Sequence, residues 1–336
     1  MTAAQDDLFT LAKGYYVTKA LLSLWRLGLL QRAIDGKVLD AELLSAEGYD
    51  RELLQALFDY LAVRGYLEFD PGAGYRLSER GGAASSYYGY LPMLVGAYEP
   101  VFSDIENMLV GAHVYGRDVS RSGRELAQGV SALEEHLLDR IIGLAKAAQC
   151  TRVLDLGCGG GRVLSKVCKL SDDIQGIGVD WDPEACEEAR RTMEHEGLHN
   201  RVSVLQGDIG SIDQMAEFMT DGADLVLSLF IMHEILRQRS KAGVVATLKK
   251  IAGLLGDQGR LLMVEVSKTK RRDVQEQLLF IPEYELVHNF SGQQLAAQEA
   301  WEEMVGEAGM RAVEVAPISM CQAFCLVAEK TPANVL

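Results

Sequence analysis

The chain has 336 residues, 48% of them hydrophobic, six cysteines and a formal net charge of −15. Such a length and apolar content can bury a large core, enough for two domains. The acidic balance disfavours DNA or RNA as a partner, and no run reaches the about 18 uninterrupted apolar residues that a membrane span needs.

The start, Met1-Thr2-Ala3-Ala4-Gln5-Asp6-Asp7, lacks the basic-then-apolar order of a secretory signal. The cysteines (Cys150, Cys158, Cys168, Cys186, Cys321 and Cys325) form no C-x-x-C pair and fall mostly within apolar segments. Reduced thiols of a cytoplasmic protein look like this.

Residues 8–33 carry Leu8, Leu11, Tyr15, Val17, Leu21, Leu22, Trp25 and Leu29 at helical spacing. Two short helices are predicted at 39–44 and 50–57, with Gly48 between them and Asp50 as N-cap. Two β-prone runs, Gly65–Phe69 and Tyr75–Ser78, flank a Pro71-Gly72 turn and predict a hairpin. Helix, turn, helix, hairpin is a winged-helix arrangement. DNA reading is not its expected use, because residues 50–64 set Arg51 and Arg64 against Asp50, Glu52 and Asp59 on an otherwise apolar helix. The better expectation is a packing and dimerisation module, with helix 8–33 pairing with its symmetry mate in a homodimer. Residues 84–122 form a tyrosine-rich junction, and Arg117 and Arg121 within it read as ordinary exposed arginines rather than carboxylate-binding forks. Domains are therefore expected at 1–122 and 123–336.

A helix near 124–148 leads into the segment that says most. Val153-Leu154-Asp155-Leu156 is a short apolar strand, and Gly157-Cys158-Gly159-Gly160-Gly161 follows at once. Glycine is needed where a backbone must turn tightly and let a ligand approach without a Cβ. The spacing is D-x-G-x-G-x-G, not the dinucleotide fingerprint G-x-G-x-x-G. Strands near 152–156, 176–180, 202–206, 224–229 and 260–266 alternate with helices, which predicts an α/β, doubly wound, mainly parallel sheet. Two further β-type runs, Ala312–Val315 and Ala323–Ala328, close the chain.

This string resembles the first motif of class I S-adenosylmethionine (SAM) methyltransferases. Asp180-Trp181-Asp182, Gly207-Asp208-Ile209 and Ala223–Ser228 follow it in the family's order. The resemblance implies a Rossmann-like, seven-stranded SAM domain whose last two strands form an antiparallel hairpin. It implies that Asp155, Gly157, Cys158, Gly159 and Gly161 line the cofactor's amino-acid end. Asp180 would hold the ribose with Trp181 beside it, Asp208 and Ile209 would flank the adenine, and Ser228, Leu229 and Phe230 would close the floor. A small side chain is the expected reason for Cys158. The competing reading is a nucleotide-binding or vestigial doubly wound domain. Many small-molecule O-methyltransferases are similar in carrying a winged-helix domain ahead of the SAM domain.

Two histidines fall on segments that should converge on the cofactor's methyl group. His233 follows the fourth strand, at the carboxyl end of the sheet where open α/β folds hold substrates. It resembles the general base of small-molecule O-methyltransferases. His288 follows the fifth strand. His195 and His199 sit in a Glu- and Arg-rich segment and are expected to be solvated; His113 and His136 have no comparable placement. Two imidazoles from facing loops suit a divalent metal such as Fe(II). Here the chain resembles a narrower group, the iron-dependent C-methyltransferases of 2-oxo acids, and the methyltransferase segments of some polyketide starter modules look similar. Gln293, Asn289, Glu265 or solvent would complete the coordination, and Glu265 could instead orient a histidine or simply end its strand.

The function expected is methyl transfer to a small metabolite, free or carrier-bound. Metal-assisted C-methylation beside a carbonyl, with His233 and His288 at the metal, is favoured over metal-free O-methylation with His233 as base. A SAM-binding protein without transfer activity is the remaining alternative.

Overall fold

A computed structural model describes residues 3–210, 212, 221–268, 281–318 and 323–332. Cys321 lies outside them. The chain divides into two compact units, Met1–His113 with Val119–Leu133, and Val114–Asp118 with Glu134–Leu336.

The first unit opens with α1 (Ala3–Arg26) and α2 (Leu29–Ile34). The expected single helix over 8–33 is thus two, because Gly28 takes a left-handed φ of 72° and stops α1. Then come α3 (Ala41–Ser45), α4 (Arg51–Val63) and the antiparallel pair β1 (Leu67–Asp70) and β2 (Gly74–Leu77). Asp40 and Asp50 cap α3 and α4 by accepting backbone N–H bonds, as the sequence predicts for Asp50. The unit continues through α5 (Glu79–Ala83), a 3₁₀ turn (Ser85–Tyr90), a π turn (Pro92–Gly96), α6 (Glu99–Ser103) and α7 (Ile105–Leu109). Its core gathers Leu24, Leu29, Leu30, Phe58 and Leu61. Arg26 ties α1 to Glu99 and Glu125. Part of α1 stands outside this core: Leu8, Phe9, Leu11, Tyr15 and Tyr16 are all more than half exposed.

Helix α8 (Gly123–Ala147) leads to the sheet, whose strands are β3 (Arg152–Leu156), β4 (Gln175–Asp180), β5 (Val202–Gln206), β6 (Ala223–Leu229), β7 (Leu255–Val266), β8 (Met310–Ile318) and β9 (Ala323–Lys330). Between them run α9 (Arg162–Cys168), α10 (Pro183–His195), α11 (Met232–Leu254), α12 (Ile281–Phe290) and α13 (Gln298–Glu307). The strand order is β5-β4-β3-β6-β7-β9-β8. The first five are parallel and β9 runs antiparallel between β7 and β8, so the seven-stranded, mainly parallel sheet and its closing hairpin are as expected.

Parallel strands covered on both faces read as near-continuous apolar runs. Accordingly Leu154, Leu156 and Val226 enter one core with Trp301, while Val153, Leu225 and Leu227 enter the other with Leu164. The starts of β3 and β6 are stapled by Asp224, which accepts the Thr151 N–H, the Thr151 hydroxyl and the Arg152 N–H at 2.8–2.9 Å. Burial works to raise the pKa of this carboxyl, but these donors win and hold it below the usual carboxylate range. Among the described residues no helix is long and apolar enough to cross a membrane.

Candidate active site

Strand order reverses between β3 and β6, and a crevice opens outside the carboxyl ends of the strands at such a point. The glycine loop starts there. Gly157 and Cys158 both donate their N–H to the Val179 carbonyl, at 2.7 and 3.1 Å, which pins the loop to β4. Gly157 has φ +78°, and a Cβ on it would lie 2.4 Å from Ile231 Cδ1. Gly159 has φ +51° and nothing within 4 Å of a Cβ position, so the backbone there faces open space. Gly161, φ +76°, starts α9 against Ala189 and Met193 of α10.

Asp180 is buried, with both carboxylate oxygens engaged by backbone. Oδ2 accepts the Gly159 N–H at 2.9 Å and Oδ1 the Asp182 N–H at 3.0 Å. Its neighbour Trp181 is 75% exposed. On β6, paired with Leu156, Ser228 is fully buried and its Oγ has no hydrogen-bond partner among the described residues. A buried hydroxyl without a partner is costly unless something else satisfies it. Open backbone at Gly159, a carboxylate fixed beside it and an orphaned hydroxyl on the next strand fit a nucleoside bearing hydroxyls and a charged tail. Asp208 follows β5; its Oδ1 accepts the Gly210 N–H at 2.8 Å and its Oδ2 pairs with Arg239. Ile209 packs in the core near Ile231. Cys158 is buried with its Sγ against Gly178, where a Cβ would lie 2.8 Å away. Burial, with Asp155 and Asp180 nearby, pushes its thiol up, which suits a packing role and not a reactive one.

The strand-to-helix turn after β6 is strained. Phe230 takes φ +59°, rare for a bulky residue, and donates its N–H to the Val264 carbonyl at 2.8 Å. Strain of this kind, on the order of 1–3 kcal/mol, clusters at functional sites. The turn delivers His233 on the first turn of α11, 5% exposed. Glu265, fully buried on β7, takes its Nδ1 at 2.8 Å and accepts the Met232 N–H at 2.6 Å and the His233 N–H at 3.3 Å. A carboxylate that accepts from Nδ1 puts the imidazole lone pair on Nε2.

His288, 2% exposed, lies on α12 with its Nδ1 2.7 Å from the Tyr284 carbonyl. A carbonyl can only accept, so Nδ1 carries the proton and the lone pair again sits on Nε2. The Tyr284 ring lies over the imidazole at 4.2 Å between centroids. The two imidazoles meet edge to face with centroids 5.6 Å apart. Two rings bound to one ion through Nε2 at about 2.1 Å have centroids roughly 4.5–5.5 Å apart, and the spacing here is close to that range. Among the described residues no cluster of three His, Cys, Asp or Glu could hold an ion.

His233, His288 and Glu265, expected together, are together, and Glu265 acts on the His233 ring. Gln293 is close by, 6% exposed, but its amide is turned to Glu234 and Ser291. Arg117 is exposed and pairs with Asp118, and Arg121 donates to the Tyr98 hydroxyl at 3.5 Å. His113 pairs with Asp104 at 2.7 Å. Sequence reasoning missed Tyr284, though its i, i+4 spacing from His288 was a signal. It also missed Arg239, for which local sequence gave none, since the Asp208 partner is 31 residues away.

Residues 148–309 match the sequence pattern of the methyltransferase domain family. The chain is 29% identical to 2-ketoarginine methyltransferase from Streptomyces arginensis over 311 residues, 90% of this chain and 87% of the relative. It is 24% identical to indolepyruvate C-methyltransferase from Streptomyces griseus, covering 76% of this chain and 74% of the relative. Among solved structures, a calicheamicin-biosynthesis methyltransferase in its SAH-bound form superposes with a TM-score of 0.65 at 20% identity, covering 98% of this chain and all of that one.

Proposed function

We propose, from the premise that the chain is a SAM-dependent methyltransferase, that it methylates the carbon beside the carbonyl of a 2-oxo acid, with His233 and His288 holding a divalent metal such as Fe(II). The observation that carries this reading is the meeting of the two imidazoles, each with its lone pair on Nε2. The names of two relatives support it, since 2-ketoarginine and indolepyruvate are both 2-oxo acids.

In the reaction the acceptor carbon gives up a proton to solvent as the enolate forms, and then bonds to the methyl carbon. The bond from methyl to sulfur breaks, and its electron pair stays on sulfur. A divalent metal at these imidazoles would supply Lewis-acid polarisation of the substrate carbonyl. The chain's own residues do the positioning. Asp180 would hold the ribose, and the pinned loop at 157–161 would seat the sulfonium end, which positions the methyl donor for displacement. Glu265 and the Tyr284 carbonyl each lock one imidazole in the tautomer that ligation needs.

A second reading rests on the His233–Glu265 pair alone, which also has the geometry of a general base backed by a carboxylate. His233 would then take a proton from a substrate hydroxyl during metal-free O-methylation. Labelled SAM, offered with a panel of 2-oxo acids and phenols before and after chelation, separates the two. The expected result is transfer to 2-oxo acids that chelation abolishes and Fe(II) restores. Undiminished transfer after stringent chelation, with phenols as the acceptors, would overturn the metal reading.

The same proposal includes a homodimer. Leu8, Leu11 and Tyr15 share one face of α1 at i, i+3, i+7, with Phe9 and Tyr16 flanking them. An exposed apolar stripe of this size marks a contact surface, and a self-complementary helix face needs only a two-fold axis. Light scattering is expected to give twice the chain mass, and Leu11→Asp with Tyr15→Asp half of that. A monomeric parent protein would refute the pairing.

A further inference from the structure

Helix α12 ends in a return that folds the following residue back on it. Gly292 takes φ +65° and donates its N–H to the Asn289 carbonyl at 3.2 Å, and Gln293 donates its N–H to the His288 carbonyl at 2.8 Å. These are the two bonds of a Schellman cap, with glycine where a left-handed residue is required. The cap brings the buried Gln293 side chain beside Ser291, itself fully buried, whose hydroxyl donates to the Val287 carbonyl at 2.8 Å and lies 3.3 Å from Gln293 Oε1. The Glu234 carboxylate can only accept, so it is Nε2 of the amide that faces and donates to it, which leaves Oε1 on the Ser291 side. Glu234 follows His233 in the first turn of α11.

One amide–carboxylate hydrogen bond therefore joins the segment carrying His288 to the segment carrying His233. Glu265 and the Tyr284 carbonyl orient the rings one at a time, from β7 and from within α12. Neither sets the distance between them. We propose that Gln293 is a positioning residue: with Glu234 it forms a strap that fixes the spacing of the two imidazoles, and it is not a third metal ligand. A ligating glutamine offers its amide oxygen, the hard donor of the group, and here that oxygen faces Ser291 while the nitrogen faces the carboxylate. The functional consequence rests on the metal-assisted reading; the strap itself does not.

Co(II) is the probe, because its visible absorption reports both occupancy and coordination geometry. Gln293→Leu and Glu234→Ala are each expected to weaken Co(II) binding about tenfold, the lower end for loss of a partner outside the ligand set, and to shift the absorption band. The double variant is expected to be no weaker than either single one, since both remove the same bond. Exchanging the partners, Gln293→Glu with Glu234→Gln, restores an amide–carboxylate pair and should recover the parent spectrum. A Gln293→Leu effect of equal size with and without Glu234 would mean that Gln293 ligates, and would overturn the strap. Should the parent protein take up no Co(II), the metal reading fails, and the strap is then read by backbone hydrogen exchange. Faster exchange in Gln293→Leu at both 232–236 and 288–293 upholds it, and unchanged exchange at either segment refutes it.

Discussion

Asp180→Asn is expected to weaken binding of SAM and of its demethylated product by about a hundredfold or more, with little change in the fold. The carboxylate accepts from two backbone N–H groups, Gly159 in the loop and Asp182 at the start of α10. Hydrogen bonds to a charged acceptor contribute about 1.5–3 kcal/mol each, so losing one backbone bond together with one bond to a ribose hydroxyl corresponds to a factor of at least about a hundred. Asparagine keeps the shape but offers only one acceptor atom. Its amide nitrogen must face one of the two N–H donors, which pushes the loop off β4 or turns the side chain away from the ribose. Titration calorimetry with the demethylated product measures the loss without needing turnover. Binding within threefold of the parent's would show that the ribose lies elsewhere, and the assignment of the crevice would fall with it.

That the glycine loop and Asp180 would meet was legible in sequence because the requirements are local. A strand, a loop without Cβ atoms and an acid at the next strand's end follow in order, and parallel pairing in register brings Gly157 and Asp180 together whatever the surroundings. The centre of the sheet was legible because parallel strands buried on both faces are near-continuous apolar runs, as β6 is over Ala223–Leu229. The break at Gly28 was missed because apolar spacing carries on through it; only the left-handed φ shows that α1 stops. What polar groups do around the histidines was legible least. Glu265 and His233 are 32 residues apart, and Gln293 and Glu234 are 59 apart. Sequence could nominate these side chains as ligands or orienters, but the hydrogen-bond inventory that separates those roles exists only once β7 and α12 are placed.

Glu265→Gln is expected to lower turnover by about a hundredfold to ten-thousandfold, nearly as much as His233→Ala, although residue 265 has no lone pair to spare for the substrate. Three donors converge on this buried carboxylate: the backbone N–H groups of Met232 and His233 on Oε1, and His233 Nδ1–H on Oε2. A glutamine has one acceptor oxygen for them. Placed with its oxygen toward the two backbone donors, it presents N–H to Nδ1, which must then give up its proton. The imidazole proton moves to Nε2, and the lone pair needed for ligation or for proton abstraction is gone. Placed the other way, the amide N–H meets two backbone N–H groups in a fully buried site, and the strained turn at Phe230 opens to relieve it. Both routes silence His233 without touching it. His288→Ala then tells the two chemistries apart. With a shared metal it is as damaging as His233→Ala, because either substitution leaves a single protein ligand. With His233 as a solitary base it costs little beyond packing against Tyr284. Steady-state rates for the three variants, with retained binding of the demethylated cofactor as the check on folding, decide the matter. Near-parent turnover in Glu265→Gln would remove His233 from the chemistry under either reading.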